Sequence, residues 1–565
     1  MIKIFRNQKH KALFVILTAV VGIYANTLFH DFALDDTLVI THNEFTKKGI
    51  HGIPEILEND GFVGFFGHND QLIAGGRYRP MAQIFFAIEY QFFGQNPFVG
   101  HLLNILFYAL TCFLMFILLG RIAYAPIGEH KQGHIQYTPT TKYYLTLPFI
   151  ATVIFAVHPL HTEVVANIKG RDEIFSLLGA LAALYFSLKY VENYRRGIAR
   201  NTPTLIWIFL MFLFGLFSKE NALTFLAVIP LTIYLFSAHG GASHTLQNAT
   251  TEGRMQYAPT RNIIIILGIA SILFLWARYN ALGFWIGDFK NNEILNNPYL
   301  FATPIQRLAT VLFTWLIYFK LLFLPYPLTH DYYPFHIPIL DFSDFRVWIS
   351  IAILAYLAYF VIKNFKKNRI VSYGILFFFI TFSMASNLIL NVGTFMNERF
   401  VYAPLLGFAI VAGYFIQKIA NANTKKVISA TCLLILFHAL GFTTINRNRA
   451  WKNDLTLFTT DVKISKNSAK VNVSAGGKLT EYAETLPDGF KKQEALNQAH
   501  QYLHKGVELH PKNHQAWFLL GNCCREMQRF DEAYIAFTNA LLINPNMKET
   551  QNNVLYTAQQ AKLDG

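Results

Sequence analysis

Long apolar stretches separated by short polar segments dominate the first 445 residues of the chain. A helix that crosses a lipid bilayer needs about 20 mostly apolar residues, and several of these stretches approach that length. The shorter ones are expected to cross only inside a helical bundle. The predicted crossings lie near residues 12–28, 101–120, 143–158, 173–191, 204–217, 221–237, 262–282, 346–362, 370–390, 401–416 and 427–443.

One further apolar stretch, residues 305–327, does not fit an alternating topology. Counting it as a crossing would place the basic cluster at 363–369 outside the cytoplasm, against the usual bias of Lys and Arg toward the cytoplasmic side. Pro325 and Pro327 interrupt its end. We therefore predict a re-entrant or interfacial segment here, and about eleven crossings in total.

The pattern becomes that of a soluble helical protein near the C-terminal end. We predict a transmembrane domain over 1–445, with an external loop at 29–100, and a tetratricopeptide-repeat (TPR) domain over 446–565. The expected repeats cover 466–511 and 512–545, and residues 546–565 would form a capping helix. The repeat spacing is carried by Trp517, Leu520, Gly521, Ala533, Phe537, Ala540 and Pro545.

Composition supports an all-α polytopic membrane protein. The 565 residues are 53% hydrophobic and 15% charged, whereas soluble domains carry about a quarter charged residues. The net charge of +14 does not indicate nucleic-acid binding, because the basic residues lie in short clusters beside apolar stretches. The four cysteines show neither a disulfide framework nor a metal-binding spacing.

The N-terminal segment admits two interpretations. A basic start followed by an apolar run resembles a signal peptide, but the run from Ala12 to Leu28 approaches spanning length and no clear cleavage site follows. We predict a retained first helix with a cytoplasmic start. This orientation places the acidic and histidine-rich motifs, and the repeats, on the external side.

The first of these motifs contains a carboxylate pair, Asp35 and Asp36, just beyond the first predicted helix. Arg77 and Arg79, in the same external loop, offer cations that could meet an anion. An arbitrary acidic pair at a membrane surface is more often an exposed loop feature, and that alternative stays open on the sequence. The position beside the membrane favours a functional role.

A second polar turn, "HPLHTEVVANIKGRDE", separates two apolar stretches at 158–173. His158 and His161, three residues apart, could share one helical face, with Glu163 as a third possible ligand and Arg171 following. As a metal site this pattern is weak, because the spacing is not a zinc signature and histidines at helix ends often form caps. A divalent metal is therefore a minor possibility beside hydrogen bonding within a pocket.

Three more external turns bring ionisable residues near the membrane. Such residues tend to mark substrate paths, although each pair could also be an internal salt bridge that steadies a loop. Their convergence on one side favours a shared site. The residues are Lys219 and Glu220, Glu398 and Arg399, and Asp331 beside its two tyrosines.

Together these segments resemble the transmembrane and tetratricopeptide-repeat-containing family, which belongs with the GT-C glycosyltransferases that use polyprenyl-phosphate sugars. The resemblance extends over nearly the whole chain. It is carried by "DFALDDTLVI" (31–40), "GGRYRPMAQI" (75–84), "NPFVGHLLNILFYAL" (96–110), "AVHPLHTEVVANIKGRDEIFSLLGAL" (156–181), "LFSKENAL" (216–223), "NERFVYAPLLGF" (397–408) and the repeats.

The resemblance implies an inverting, hexosyl- or mannosyltransferase-like enzyme that moves a sugar from a polyprenyl-phosphate donor to a hydroxyl, as in protein O-glycosylation. Asp36 or Asp35 would be the general base. Cations would stabilise the leaving phosphate, with Arg399, Arg79, Lys219 and Arg171 as candidates in that order. The rest of the pocket would consist of His158, His161, Glu163, Glu398, Asp331, Arg77 and Glu220.

The expected partners are the lipid-linked sugar, membrane lipid, and an acceptor protein or peptide bound by the repeats, with no nucleic acid. The short repeat region resembles that of bacterial relatives, which implies an inner-membrane protein with periplasmic repeats. In a eukaryotic cell the repeats would be lumenal in the endoplasmic reticulum. Two other functions stay open: a non-catalytic TPR scaffold, and a transporter or flippase for a lipid-linked sugar.

Overall fold

The computed structural model describes residues 2–67, 76–124, 142–198, 202–237, 249–285, 294–420 and 426–564. Within these ranges the fold is helical and contains no strand. The longer helices are α1 (Ile2–Tyr24), α2 (Pro80–Phe93), α3 (Pro97–Ala123), α4 (Leu147–Val157), α5 (Arg171–Arg195), α6 (Thr202–Ser218), α7 (Phe225–Phe236), α8 (Ala249–Leu282), α9 (Pro304–Phe323), α10 (Phe345–Asn364), α11 (Arg369–Phe382), α12 (Pro404–Ala420), α13 (Lys426–Ala450), α14 (Asp454–Asp461), α15 (Ala469–Glu484), α16 (Phe490–Leu509), α17 (His514–Glu526), α18 (Phe530–Ile543) and α19 (Lys548–Asp564).

The bundle is that of a multi-pass membrane protein. By length and composition, seven helices of the described chain are able to cross a membrane: α1, α3, α5, α8, α9, α10 and α13. The number is eight if α4 and the following segment Pro159–Ala166, bent by 54°, form one span. Helices α6 and α12, and the apolar segments 220–236 and 369–385, are shorter and lie within the bundle, as a bundle with mixed helix lengths allows.

Helix α9 differs from the predicted broken segment at 305–327. It is continuous over 20 residues and begins with a capping box formed by Thr303 and Gln306. Pro325 and Pro327 follow the end of the helix and do not interrupt it. The predicted re-entrant break is therefore absent from α9, and the two prolines lie where a helix is expected to end, because the residue before a proline disfavours the helical conformation.

The C-terminal end of α9 lies at the end of the bundle where the predicted external turns meet, which we call the site end. The Leu322 carbonyl lies 3.1 Å from Nε2 of His158, and the Thr310 hydroxyl accepts a 2.9 Å hydrogen bond from the amide of Leu340, shortly before α10 begins. The interfacial placement of α9 and the count of about eleven crossings stay predictions, since α9 is by length and composition also able to cross a membrane.

Five helices after the bundle, α15 to α19, pack as antiparallel neighbours in the manner of tetratricopeptide repeats. Gly521 is required for this packing, because a Cβ atom there would lie 2.5 Å from Cε1 of the buried Phe537. These five helices, together with α14 and the turns between them, form residues 451–564, which we call the repeat region. The repeat region sits directly on the site end. The Lys452 carbonyl accepts a 2.9 Å hydrogen bond from the amide of Asp31, and the Ser468 hydroxyl donates a 2.8 Å bond to the Tyr333 carbonyl.

Candidate active site

A cavity of about 560 Å³ lies between the site end of the bundle and the repeat region. Its wall combines the turn after α1, the segment before α2, the turn between α6 and α7, and the long segments on either side of α10 and α11. The repeat region adds Phe458, Lys470 and Ser474. Eight of the predicted site residues line this cavity: Asp35, Arg77, Arg79, Glu163, Lys219, Glu220, Asp331 and Arg399.

The two acids that follow α1 have different surroundings. Asp36 is fully buried, and its two carboxylate oxygens accept hydrogen bonds from the backbone amides of Lys169 (2.7 Å) and Ala33 (3.0 Å). Burial raises the pKa of Asp36 to about 7, against the opposing effect of those amide bonds. The geometry therefore makes Asp36 a clamp between two turns, and it does not place this carboxylate in the cavity.

Asp35 does face the cavity, and its side chain keeps a quarter of its surface exposed. Its Oδ2 lies 3.7 Å from Nζ of Lys169 and 3.6 Å from Nη1 of Arg399. Burial alone would raise the pKa of Asp35, but the charges of Lys169, Arg399 and Arg77 outweigh it and hold the pKa at about 2. Asp35 is thus an ionised carboxylate at the cavity surface.

Arg399 connects two turns across the cavity. Its Nη1 lies 3.1 Å from Oε1 of Glu163 in addition to its contact with Asp35, and a fifth of the side chain remains exposed. The nearby acids raise the pKa of Arg399 against the opposing effect of burial, so the guanidinium is charged. It is paired on one edge and leaves part of its surface open to the cavity.

Arg79 and Lys219 are more fully occupied by acids. Arg79 binds Glu220 through Nε and Nη2, and its Nη1 lies 3.0 Å from Oδ2 of Asp172. Lys219 forms a buried ion pair with Glu173. These pairs balance charge in the floor of the cavity, which is the arrangement that buried ions require.

Arg77 is the least neutralised of the predicted cations. Its guanidinium stacks on the Phe62 ring at 5.2 Å, and it forms no ion pair with any acid in the described part of the chain. Its buried Nε has no hydrogen-bond partner there. Burial and the neighbouring Arg79 lower the pKa of Arg77 to about 10, which still leaves it protonated near neutral pH.

The cavity carries more positive than negative side chains. Among the described residues its wall contains six cations, which include Arg278 and Lys470, and four carboxylates. Nζ of Lys470 is 3.9 Å from Oδ2 of Asp331, so the repeat region supplies one of the six cations of the cavity wall. Lys470 and Arg278 were missed by the sequence analysis, because neither lies in a motif and their approach is set by long-range packing.

Asp331 lies in the cavity wall, whereas Glu398 supports it from behind. One oxygen of Glu398 accepts hydrogen bonds from the amide of Thr329 (2.6 Å) and the hydroxyl of Tyr332 (2.9 Å). Burial raises the pKa of Glu398 to about 8. Glu398 therefore positions the segment that carries Asp331 and does not line the cavity itself.

Three other predicted site residues also lie outside the cavity wall. Arg171 is fully buried and binds Asn104 (2.8 Å), the Gly100 carbonyl (2.9 Å) and the Glu89 carboxylate, so it joins α5 to α2 and α3. His158 contacts α9, and His161 contacts the Tyr108 hydroxyl at 2.8 Å. The assignment of Arg171 to a donor phosphate, and of the histidines to the pocket, is corrected on this geometry.

The possible metal site at His158, His161 and Glu163 is not assembled. Nε2 of His158 bonds to α9 and Nδ1 of His161 bonds to α3, whereas Glu163 turns toward Arg399. Nε2 of His161 is buried and has no hydrogen-bond partner among the described residues. Across the described residues, the group that brings three metal-binding side chains together lies elsewhere, in the repeat region. The polar turn instead packs against α3 and α9 and supplies Glu163 to the cavity wall.

Replacing Arg171 by methionine should lower the free energy of unfolding by about 3–5 kcal/mol, because the change leaves the Glu89 carboxylate and two buried acceptors without their donor. Thermal unfolding of the purified protein in detergent measures the loss. The matched control is Arg196→Met, just after α5, where the exposed pair with Glu192 contributes less than about 1 kcal/mol. Equal stabilities for the two variants would contradict the structural role of Arg171.

These features define the class of protein: a multi-pass helical membrane protein whose charged cavity is completed by tetratricopeptide repeats. The family model for the tetratricopeptide repeat matches residues 514–547. The resemblance to the transmembrane and tetratricopeptide-repeat-containing proteins is also confirmed by curated relatives. The chain is 26% identical over 563 residues to "Protein O-mannosyl-transferase TMTC3" of Mus musculus, covering 95% of this chain and 55% of that protein.

Other members of the group give similar values. "Protein O-mannosyl-transferase TMTC1" of Homo sapiens is 24% identical, with 89% of this chain and 55% of that protein covered. "Protein O-mannosyl-transferase TMTC4" of Mus musculus is 26% identical, with 81% and 62% covered. The chain thus spans little more than half the length of these relatives.

Proposed function

We propose that this chain is a membrane glycosyltransferase of GT-C type that transfers a sugar from a polyprenyl-phosphate donor to a hydroxyl group of a protein. The names of the relatives suggest mannose as the sugar. The observation that carries the proposal is the cavity itself, in which a surplus of cations surrounds the ionised carboxylate Asp35. The positive-inside bias supports an external, periplasmic or lumenal, position for the cavity and the repeats.

The cation surplus suits an anionic donor. As the bond between the sugar and the phosphate breaks, negative charge grows on the leaving phosphate, and fixed cations in a buried site stabilise that charge. Arg77 and Arg399 are the best placed, because Arg77 lacks an ion pair among the described residues and Arg399 is partly exposed. Arg79 and Lys219 form ion pairs with acids, so they contribute to the electrostatic potential of the cavity and do not bind the phosphate directly.

Asp35 would accept the proton of the acceptor hydroxyl while the hydroxyl oxygen forms a bond to the sugar carbon. The bond between that carbon and the phosphate oxygen breaks, and its electron pair leaves with the polyprenyl phosphate. A pKa of about 2 makes a weak base, but that value depends on the charges of Arg399 and Arg77. A bound phosphate would offset both charges. Donor binding would therefore raise the pKa of Asp35 and make it a stronger base when it is needed.

The repeats would bring the acceptor to this base. Phe458 and Lys470 belong to the repeat region and also line the cavity, so a peptide held on the repeats would have a short path to Asp35. Binding of this kind raises the local concentration of the acceptor hydroxyl. The proposed acceptor is a protein segment with an exposed serine or threonine.

The direct test is incubation of the purified protein with a panel of polyprenyl-phosphate sugars and serine- or threonine-containing peptides. Mass spectrometry should show addition of one sugar to the peptide together with release of polyprenyl phosphate. A panel in which no donor reacts and none raises the unfolding temperature would contradict the proposal. Movement of intact donor between leaflets of reconstituted vesicles, without release of polyprenyl phosphate, would indicate a transporter instead.

Arg77→Gln should weaken donor binding roughly 10- to 100-fold, the effect expected for one lost hydrogen bond to a charged group. The reason is that Arg77 is the cavity cation least neutralised by described acids. The measurement is the donor KM in the transfer assay. Arg346→Gln is the control, since Arg346 pairs with Asp344 outside the cavity. An unchanged donor KM in Arg77→Gln would remove Arg77 from the proposed phosphate site.

A further inference from the structure

A second group of chemically reactive side chains lies in the repeat region, away from the cavity. His500 on α16, Cys524 on α17 and Glu532 on α18 each direct one potential metal ligand to a common point, and these atoms all lie within 4.8 Å of one another. The group combines imidazole nitrogen, thiol sulfur and carboxylate oxygen. It spans three helices that belong to two successive repeats.

The separations between the ligand atoms fit a small tetrahedral ion. Nε2 of His500 is 3.1 Å from Oε2 of Glu532, and Sγ of Cys524 is 3.9 Å from the same oxygen. In a tetrahedral zinc site with bonds of about 2.0–2.3 Å, ligand atoms lie roughly 3.3–3.7 Å apart. The third separation, between Nε2 of His500 and Sγ of Cys524, is at most 4.8 Å. Rotation of the half-exposed Glu532 side chain and a shift of up to about 1 Å between the imidazole and the thiol would bring the three atoms into the ligand positions.

The surroundings prepare the ligands for this role. The second oxygen of Glu532 lies 3.5 Å from Nη1 of Arg529, while its other oxygen is directed toward His500 and Cys524. Such outer partners orient first-shell ligands at metal sites. Cys524 is buried and is not part of a disulfide, so its sulfur is available to a metal.

We propose that His500, Cys524 and Glu532 bind a zinc ion, with water as the fourth ligand. Mixed nitrogen, sulfur and oxygen ligation favours zinc over magnesium or calcium, which prefer oxygen alone. On binding, Cys524 loses its proton to solvent, and the thiolate and carboxylate together balance the charge of the ion. The ion joins α16 to α17 and α18, and so fixes the stacking of two repeats.

This role answers a physical need of the repeat region. Each repeat buries its apolar face only against its neighbours, so a short array gains little stability from stacking. Small domains commonly compensate with a structural metal. The proposal concerns the stability of the repeats and does not depend on the proposed transferase activity.

Cobalt binding to the full-length protein in detergent tests the site, because a thiolate ligand to Co²⁺ produces a charge-transfer band in the near ultraviolet. We expect a band that saturates at one Co²⁺ per chain and disappears when Zn²⁺ is added. Cys524→Ser should abolish the band. Its matched control, Cys523→Ser, changes the adjacent buried thiol, which faces the Leu496 carbonyl, and should keep the band.

Glu532→Gln gives a second, independent variant, because its half-exposed side chain is not needed for the packing of the helices. It should weaken Zn²⁺ binding by roughly 100-fold. Removing an outer-shell partner of a metal ligand costs about 10- to 100-fold in affinity, and removing a ligand should cost at least as much. It should also abolish the rise in unfolding temperature that Zn²⁺ gives the unaltered protein. No cobalt band in the unaltered protein, a band that persists in Cys524→Ser, or unchanged Zn²⁺ binding in Glu532→Gln would each overturn the proposal.

Discussion

Asp35→Asn is expected to slow sugar transfer by roughly 100- to 10,000-fold, the range that a positioned general base contributes. The substitution keeps the size of the side chain but removes its ability to accept a proton. It should lower the unfolding temperature modestly, because the fold loses the stabilisation that the ionised Asp35 contributes, while Arg399 keeps Glu163 and Lys169 keeps Asp172 as partners. The transfer assay and thermal unfolding, run on the same preparation, measure both effects.

Asp36→Asn is the matched control, since it makes the same chemical change at the adjacent residue. Asp36 accepts hydrogen bonds from two backbone amides, and an asparagine there would direct an N–H donor toward one of these N–H groups. That hydrogen bond would be lost. We expect a loss of stability of about 1–3 kcal/mol, with activity falling only as far as the turn loosens. Loss of transfer in Asp36→Asn at full stability, with an active Asp35→Asn, would exchange the two roles.

The pH dependence gives a further check on Asp35. Its folded pKa of about 2 lies below the ordinary value of 3.8, so the carboxylate stabilises the fold above about pH 4 and loses this effect as the pH falls toward 2. In the free enzyme it is fully ionised between pH 5 and 7. The rate at low donor concentration should therefore show no titration from Asp35 across that interval.

The helical bundle, the repeats and the meeting of several polar turns could be predicted from the sequence. Apolar stretches fix the helices, and the distribution of Lys and Arg assigns turns to sides, so residues as distant in the chain as Asp35 and Arg399 could be placed together. Their actual contact at 3.6 Å agrees with that prediction. Polar turns on the same side of the membrane must lie at the same end of the bundle, so their side chains have few places to go other than near one another.

The direction of each side chain could not be predicted. Asp35 and Asp36 are neighbours with opposite surroundings, and Lys169 approaches the cavity acids while Arg171, two residues later, faces α3. Turn geometry sets these directions, and it depends on backbone contacts between segments far apart in the chain. The same limit applies to Cys524, whose partners come from two other helices and form no local motif.

The largest expected effect on the assembly of the two parts comes from Asp461. This fully buried carboxylate at the end of α14 binds Arg447 of α13 through both oxygens, and it also accepts bonds from the ring (2.8 Å) and the backbone amide (2.7 Å) of His330. It thus joins the last bundle helix, the repeat region and the segment that lines the cavity. The charges of Arg447 and His330 hold the pKa of Asp461 well below its usual range, against the opposing effect of burial.

Asp461→Asn should lower the free energy of unfolding by about 3–5 kcal/mol, because the buried Arg447 cation loses its counter-charge. We also expect faster proteolysis between α13 and α15, and a matching loss of transfer, since His330, Asp331 and Lys470 would no longer be held around the cavity. Asp488→Asn is the control, as Asp488 is 95% exposed and pairs only with Lys492 among the described residues. If Asp461→Asn kept full stability and protease resistance, the repeat region would have to be held on the bundle by its backbone contacts alone, and the cavity would not depend on this ion pair.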